Sequence, residues 1–347
     1  MNISEISRLR HLCLMLAVTL FAFLTPACSE NDEPSGDSSN ADFTSYSVSG
    51  FDAKADIDPE NRTVYLQLPS SVTDLSALRP EFTVSDGATV SINYEPQTSG
   101  TMEMDFSDLV LYTVTSADGS TSRRWRVTVT NNSYTSKYGM GNCLTAEVSN
   151  NGSDPSGFYM QQQHSGPNSA DNCGPACSAM ALRWAYPNSR ITVEDARNET
   201  PLSEIDGGVW WYPRDIYNFL NNHGVWAYYW NFWDTSFDYY IQTVCEKLDE
   251  GNIAISCLKM SNVSQQTAAS KEYRTHKYYA GSNGHFLLIK GYRVVNGVTW
   301  FEVHDPWGLD MVYSDGSPVG ANRYYLAREV ATSINHNSWT IIVPPAE

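Results

Sequence analysis

The chain has 347 residues, 41% of them apolar, enough to bury the cores of two ordinary domains. Its 22 basic and 39 acidic residues leave a net charge of -17, a field that repels nucleic-acid phosphates and anionic headgroups, so nucleic-acid binding is set aside. Seven cysteines show neither an even disulfide spacing nor a zinc-site pattern with the histidines, so no metal and no cofactor is called for. Cys143, Cys177, Cys245 and Cys257 read as small buried hydrophobes.

Arg8, Arg10 and His11 precede an apolar run from Leu12 to Leu24, too short for a permanent membrane span but right for the core of a signal peptide. The run ends in Leu24-Thr25-Pro26-Ala27-Cys28, which resembles a lipobox. That resemblance implies a leader over 1–28 and a lipid on Cys28, the first residue of the mature chain. Residues 29–42 begin polar and acidic, too poor in apolar groups to pack, and read as a flexible tether. An acidic stretch directly after the lipidated Cys resembles the surface-export signal of Bacteroidetes lipoproteins. It implies a lipid anchor in the outer membrane and exposure on the cell surface.

From Phe43 the pattern turns to short alternating strands, with Val64, Leu66 and Leu68 on one face and Thr63, Tyr65 and Gln67 on the other. Val110, Tyr112 and Val114 lead into the Asp118-Gly119 turn pair, and Trp125, Val127 and Val129 alternate after it, so the last two strands form a hairpin. Residues 43–132 are therefore expected to be a small β-sandwich. The YTVTSADGS and RWRVTVT stretches resemble the immunoglobulin-like modules near the tether of Bacteroidetes surface lipoproteins. A spacer or binding role is implied, since no paired carboxylates, His cluster or Gly-rich loop stands in this segment.

Residues 133–347 carry the chemistry. Asn172-Cys173-Gly174-Pro175 opens a helix rich in small and apolar residues, with Asn172 as the expected cap. At a helix N-terminus the unsatisfied N–H groups favour the thiolate of Cys173 and can hold an oxyanion. A lone Cys at such a place is more often structural, so the second segment decides. Gly284-His285-Phe286-Leu287-Leu288-Ile289 is an apolar strand beginning at a His, Trp300-Phe301-Glu302-Val303-His304-Asp305 is another ending at an Asp, and Asn296-Gly297 between them signals a hairpin.

Folding that hairpin brings His285 beside Asp305. Side-chain parity adds a condition: a two-residue turn pairing Val295 with Val298 throughout puts the two groups on opposite faces. A three-residue loop, or an equivalent bulge, puts them on one face. Such a His takes the thiol proton and later donates to a leaving amine, while the carboxylate fixes its tautomer. His304 points away from Asp305 by alternation, and His164, on a Gly/Pro/Asn-rich loop, reads as solvent-facing.

The N-C-G-P helix start, the G-H-F-L-L-I-K-G-Y strand and V-H-D-P-W-G together resemble the C39-like peptidases of the papain-like superfamily, over roughly residues 155 to 345. The fold this implies is an α+β papain-like cysteine peptidase domain preceded by a small all-β immunoglobulin-like sandwich. The implied catalytic set is Cys173 as nucleophile, His285 as base, Asp305 as orienting group and Gln163 as oxyanion donor. Ten positions separate Gln163 from Cys173, so the intervening loop must bulge. The implied partner is a peptide or protein substrate.

Between the motifs, Trp210, Trp211, Tyr212, Trp226, Tyr228, Tyr229, Trp230, Phe232, Trp233, Tyr239 and Tyr240 form a dense aromatic run, most of which is expected to be buried packing. Segments 214–223 and 241–250 read as helices, 253–258 as a strand, and 261–282 as a loop over the cleft. Rival readings are a thiol amidase or transglutaminase, which use the same triad, and a non-enzymatic surface adhesin on the same scaffold.

Overall fold

A computed structural model describes residues 38–152, 157–267, 272–281, 283–334 and 339–346. The leader and Cys28 lie outside the described residues. The last two residues of the expected tether are already packed: Ala41 is buried with its carbonyl accepting from Trp125 Nε1, and Asp42 pairs with Arg123 at 2.6 Å.

Among the described residues, 38–130 hold strands as their regular elements: β1 (Phe43–Val48), β2 (Asp56–Asp58), β3 (Thr63–Gln67), β4 (Pro80–Val84), β5 (Thr89–Ile92), β6 (Glu95–Pro96), β7 (Val110–Thr115) and β8 (Ser122–Thr130). A six-stranded sheet runs β2-β3-β8-β7-β5-β6, with β3 and β8 parallel, and β1 pairs with β4 in a second sheet. Strand β3 buries Val64 and Leu66 and exposes Gln67, as its alternation requires. The β7–β8 hairpin closes with Thr115 opposite Ser122 around the Asp118-Gly119 turn. Its core is aromatic: the Phe43 ring meets those of Tyr46, Tyr112 and Trp125 edge-on at 5.4 to 5.7 Å.

The rest of the chain is mixed and sheet-rich. It contains α1 (Ser133–Lys137), β9 (Leu144–Ser149), α2 (Cys173–Ala185), α3 (Val193–Glu199), α4 (Pro213–Asn222), β10 (Tyr228–Asn231), α5 (Phe237–Asp249), β11 (Ile253–Lys259), β12 (Gly284–Val295), β13 (Val298–His304), β14 (Arg323–Leu326), α6 (Ala327–Ser333) and β15 (Trp339–Val343). The sheet order is β10-β15-β11-β12-β13-β14, and the long β12 pairs with β11 along its first half and with β9 along its second. Alternation along β12 divides the core. Leu288 packs with Met180, Trp184 and Phe219 of α2 and α4, and Leu287 packs with Tyr240, Val244 and Val330 of α5 and α6.

Helix α2 is buried nearly all round, which its Ala- and Gly-rich sequence permits. Gly174 is needed for that approach, because a Cβ there would lie 2.8 Å from Trp211 Cβ. The β12–β13 hairpin meets the parity condition by a bulge. Its turn is the two-residue Asn296-Gly297, with Val295 opposite Val298, but the register shifts between Ile289 and Gly291 so that Leu288 faces His304. Lys290 is the extra residue. Buried, its ammonium pairs with the buried Glu302 at 2.9 Å and donates to Ser149 Oγ and Asn151 Oδ1.

The hairpin tip is gripped by Cys143, ahead of β9, and by one carbonyl of the first region. Asn296 N donates to Cys143 O, Asn296 Oδ1 accepts from Cys143 N, and Asn296 Nδ2 donates to Ser107 O. Of the eleven aromatics named in that run, Trp211, Phe232 and Tyr240 are buried, whereas Trp210, Trp226, Trp233 and Tyr239 are exposed. The expectation of buried packing fails for most of that run, since β10 is a short edge strand with too little sheet beside it to cover its neighbours.

Candidate active site

Cys173 is the first residue of α2, partly exposed at the floor of a cleft. The expected cap does not form. Asn172 is fully buried and makes no side-chain cap; its amide donates to Ser165 O and Oγ, and its Oδ1 accepts from Arg197 Nε at 2.6 Å. Arg197 also donates to Asp171 O and Pro201 O, so a buried guanidinium, which the sequence did not signal, braces the residue before the nucleophile.

His285 starts β12 opposite Leu258 of β11, and Asp305 directly follows β13. His285 Nε2 lies 2.8 Å from Asp305 Oδ1, and the Cys173 thiol is close enough to the same imidazole for each to shift the other's pKa. With Nε2 engaged by the carboxylate, Nδ1 is the nitrogen left for the thiol.

Asp305 is wholly buried, yet every edge of its carboxylate has a donor. Oδ1 also accepts from Trp307 N at 2.9 Å, and Oδ2 accepts from the hydroxyls of Tyr325 at 2.6 Å and Tyr279 at 3.0 Å. Its backbone is fixed as well: Asp305 N donates to Gly320 O, and Asp305 O accepts from Tyr159. A Cβ at Gly320 would collide with that carbonyl.

The charges follow from these contacts. Burial raises the Asp305 pKa, but the charge and hydrogen bond of His285, with those of Tyr325 and Trp307, outweigh it and hold the carboxyl below its ordinary value. Burial alone lowers the His285 pKa; the Asp305 charge and the Asp305 and Cys173 hydrogen bonds reverse this and push it up to about 10. Burial likewise raises the Cys173 thiol, and His285 with the Phe286 and Gly174 N–H groups brings it below the ordinary thiol value. Both shifts favour the thiolate–imidazolium form of the pair over neutral thiol and imidazole.

Cys173, His285 and Asp305 thus come together. Gln163 is not among the residues lining the cleft, and its side-chain nitrogen and oxygen are both buried without a hydrogen-bond partner. Gln162 Nε2 donates to Ser169 O and Ala170 O, bracing the loop before α2, and Gln161 bonds Asp310. His304 lies on the opposite face from Asp305, buried against Phe158 and Tyr159, and burial beside Lys290 drives its pKa well down. His164 is exposed and paired with Asp310. Tyr159, Tyr279, Tyr325, Gly320 and Arg197 support the site without any sequence motif that marks them.

Residues 43–129 match the family model described as "SGBP, N-terminal", the N-terminal module of surface glycan-binding proteins. No curated protein matches the chain. Among solved structures, a C39-like peptidase from Bacillus anthracis, so described provisionally, is 12% identical with a TM-score of 0.35, over 57% of this chain and 98% of that one. A secreted protein from Bacteroides fragilis is 23% identical with a TM-score of 0.22, over 26% and 94%. A provisionally described glycoside hydrolase from Bacteroides thetaiotaomicron is 15% identical with a TM-score of 0.24, over 91% and 98%. At these TM-scores the likenesses carry neither a shared fold nor a shared activity.

Proposed function

We propose that the chain is a surface-exposed cysteine peptidase, anchored through a lipid on Cys28, with an immunoglobulin-like module at 43–132 and a papain-like catalytic domain at 133–347. One observation carries the reading: a single buried imidazole has a thiol beside it and a fully coordinated carboxylate bonded to it. A structural Cys has no use for a thiolate-stabilising partner.

In the reaction, the Cys173 thiolate attacks a peptide carbonyl, and the oxyanion formed is held by N–H groups at the start of α2. His285 gives its proton to the departing amine, leaving a thioester on Cys173. It then takes a proton from water, whose oxygen displaces the thiolate and releases the acid. Asp305 keeps the imidazole in the orientation that serves both transfers.

A second reading, a surface binding protein on this scaffold, draws on the glycan-binding match over 43–129. The two part on turnover. Incubating the soluble chain with a denatured protein mixture and sequencing new N-termini should show cleavage by the wild type that is lost with Cys173→Ala. Identical N-termini from both would leave the binding reading standing.

A further inference from the structure

We propose that the cleft selects acyl donors with a bulky apolar, above all aromatic, side chain beside the scissile carbonyl and excludes acidic ones; this rests on the peptidase reading. The cleft holds about 420 Å³ beside Cys173 and His285. Cys257, Met260 and Phe286 line it with carbon and sulfur alone, and the hydroxyls of Tyr212 and Tyr279, also in the lining, are already bonded to Asp206 and Asp305. A sugar ring or an acidic side chain placed there would lose its water without replacement, whereas an apolar ring gains by the same transfer.

The walls are aromatic and already ordered. Trp210, 66% exposed, is nonetheless tied by its Nε1 to Asp171 Oδ1 at 2.6 Å, leaving a ring face open at the cleft mouth. Trp211 is fixed by Nε1 to Thr200 O at 3.0 Å and packs under Arg197. Across the cleft, Trp339 leans on Tyr229 at 5.4 Å, which stacks on Tyr217 at 4.7 Å. Indoles held before a ligand arrives lose little rotamer freedom on binding it. Among the described residues neither Lys nor Arg lines the cleft, whereas the acidic Asp171 does. An incoming carboxylate therefore meets no Lys or Arg to pair with there.

The test uses two series of three peptidyl chloromethyl ketones, carrying Phe, Gly or Glu at one or the other of the two positions on the acyl side. In each the Cys173 thiolate displaces chloride and forms a C–S bond, and the rate is read by intact mass spectrometry at pH 7 beside iodoacetamide as a reference. At one position Phe should exceed Gly by at least about tenfold, with Glu slowest. Trp339→Ala should erase most of that preference, read as the Phe-to-Gly ratio within the variant; Trp210→Ala, at an exposed position that tolerates truncation, should reduce it several-fold. Equal rates, or Glu ahead, with fast iodoacetamide labelling would overturn the selectivity and leave the peptidase reading intact. Slow iodoacetamide labelling would overturn both.

Discussion

The two regions solve burial in opposite ways. Among described residues, the strands up to Thr130 bury aromatic and aliphatic side chains and only two hydroxylic ones, Ser116 and Thr130, with no buried charge. The region after it buries Arg197, Asp215, Arg274, Lys277, His285, Lys290, Glu302, His304, Asp305 and Arg323. Taking a charge out of water is costly, and matched pairs repay it only with good geometry. The first region is built as an apolar module; the second retains groups that stability alone does not require, and five of them, His285, Lys290, Glu302, His304 and Asp305, sit on or next to one hairpin.

That contrast can be broken by substitution. The largest effect on stability is expected from Glu302→Ala, which strands the buried Lys290 ammonium at the bulge that sets the hairpin's parity. It should destabilise the chain by about 3–5 kcal/mol in urea unfolding and abolish Cys173 reactivity. Leu66→Ala, in the apolar core of the first region, should cost about 2–5 kcal/mol while leaving the Cys173 labelling rate of the folded protein unchanged. If it slowed labelling as much as Glu302→Ala, the regions would not be separable in this way.

A smaller and more local effect is expected from Tyr325→Phe, which removes one donor from Asp305 Oδ2 and leaves Tyr279 in place. The cost should be about 1–3 kcal/mol, and Asp305 should take up its proton at higher pH. The sign follows from the shifts. His285, raised to about 10, contributes stability that is full below the ordinary imidazole value and fades as pH climbs through about 10. Asp305, lowered, contributes stability that is present at neutral pH and lost as pH falls through its depressed value. In Tyr325→Phe the acid limb should move toward neutrality; an unmoved limb would mean that Tyr325 only fills space.

Much of this was legible in the sequence because the relevant signals are local. Alternation in 63–68, the Asp118-Gly119 and Asn296-Gly297 turns and the Cys173 helix start all depend on near neighbours, and the structure has each of them. Parity reasoning went further, since requiring His285 and Asp305 on one face demanded a loop or bulge, and the bulge is at Lys290. What stayed hidden is long-range. Asn172 looks like a cap until Arg197 supplies a better partner from 25 residues away. Tyr279 and Tyr325 become site residues only when the sheet has assembled around Asp305.

The central claim is the thiolate–imidazolium pair, and iodoacetamide labelling of Cys173 between pH 5 and 9 tests it most directly, comparing wild type with His285→Ala by mass spectrometry. Labelling should be fast well below the free-thiol value of about 8.5 in the wild type and fall at least about a hundredfold at pH 6 in His285→Ala. Labelling that rises only near pH 8.5 and ignores His285 would contradict the account.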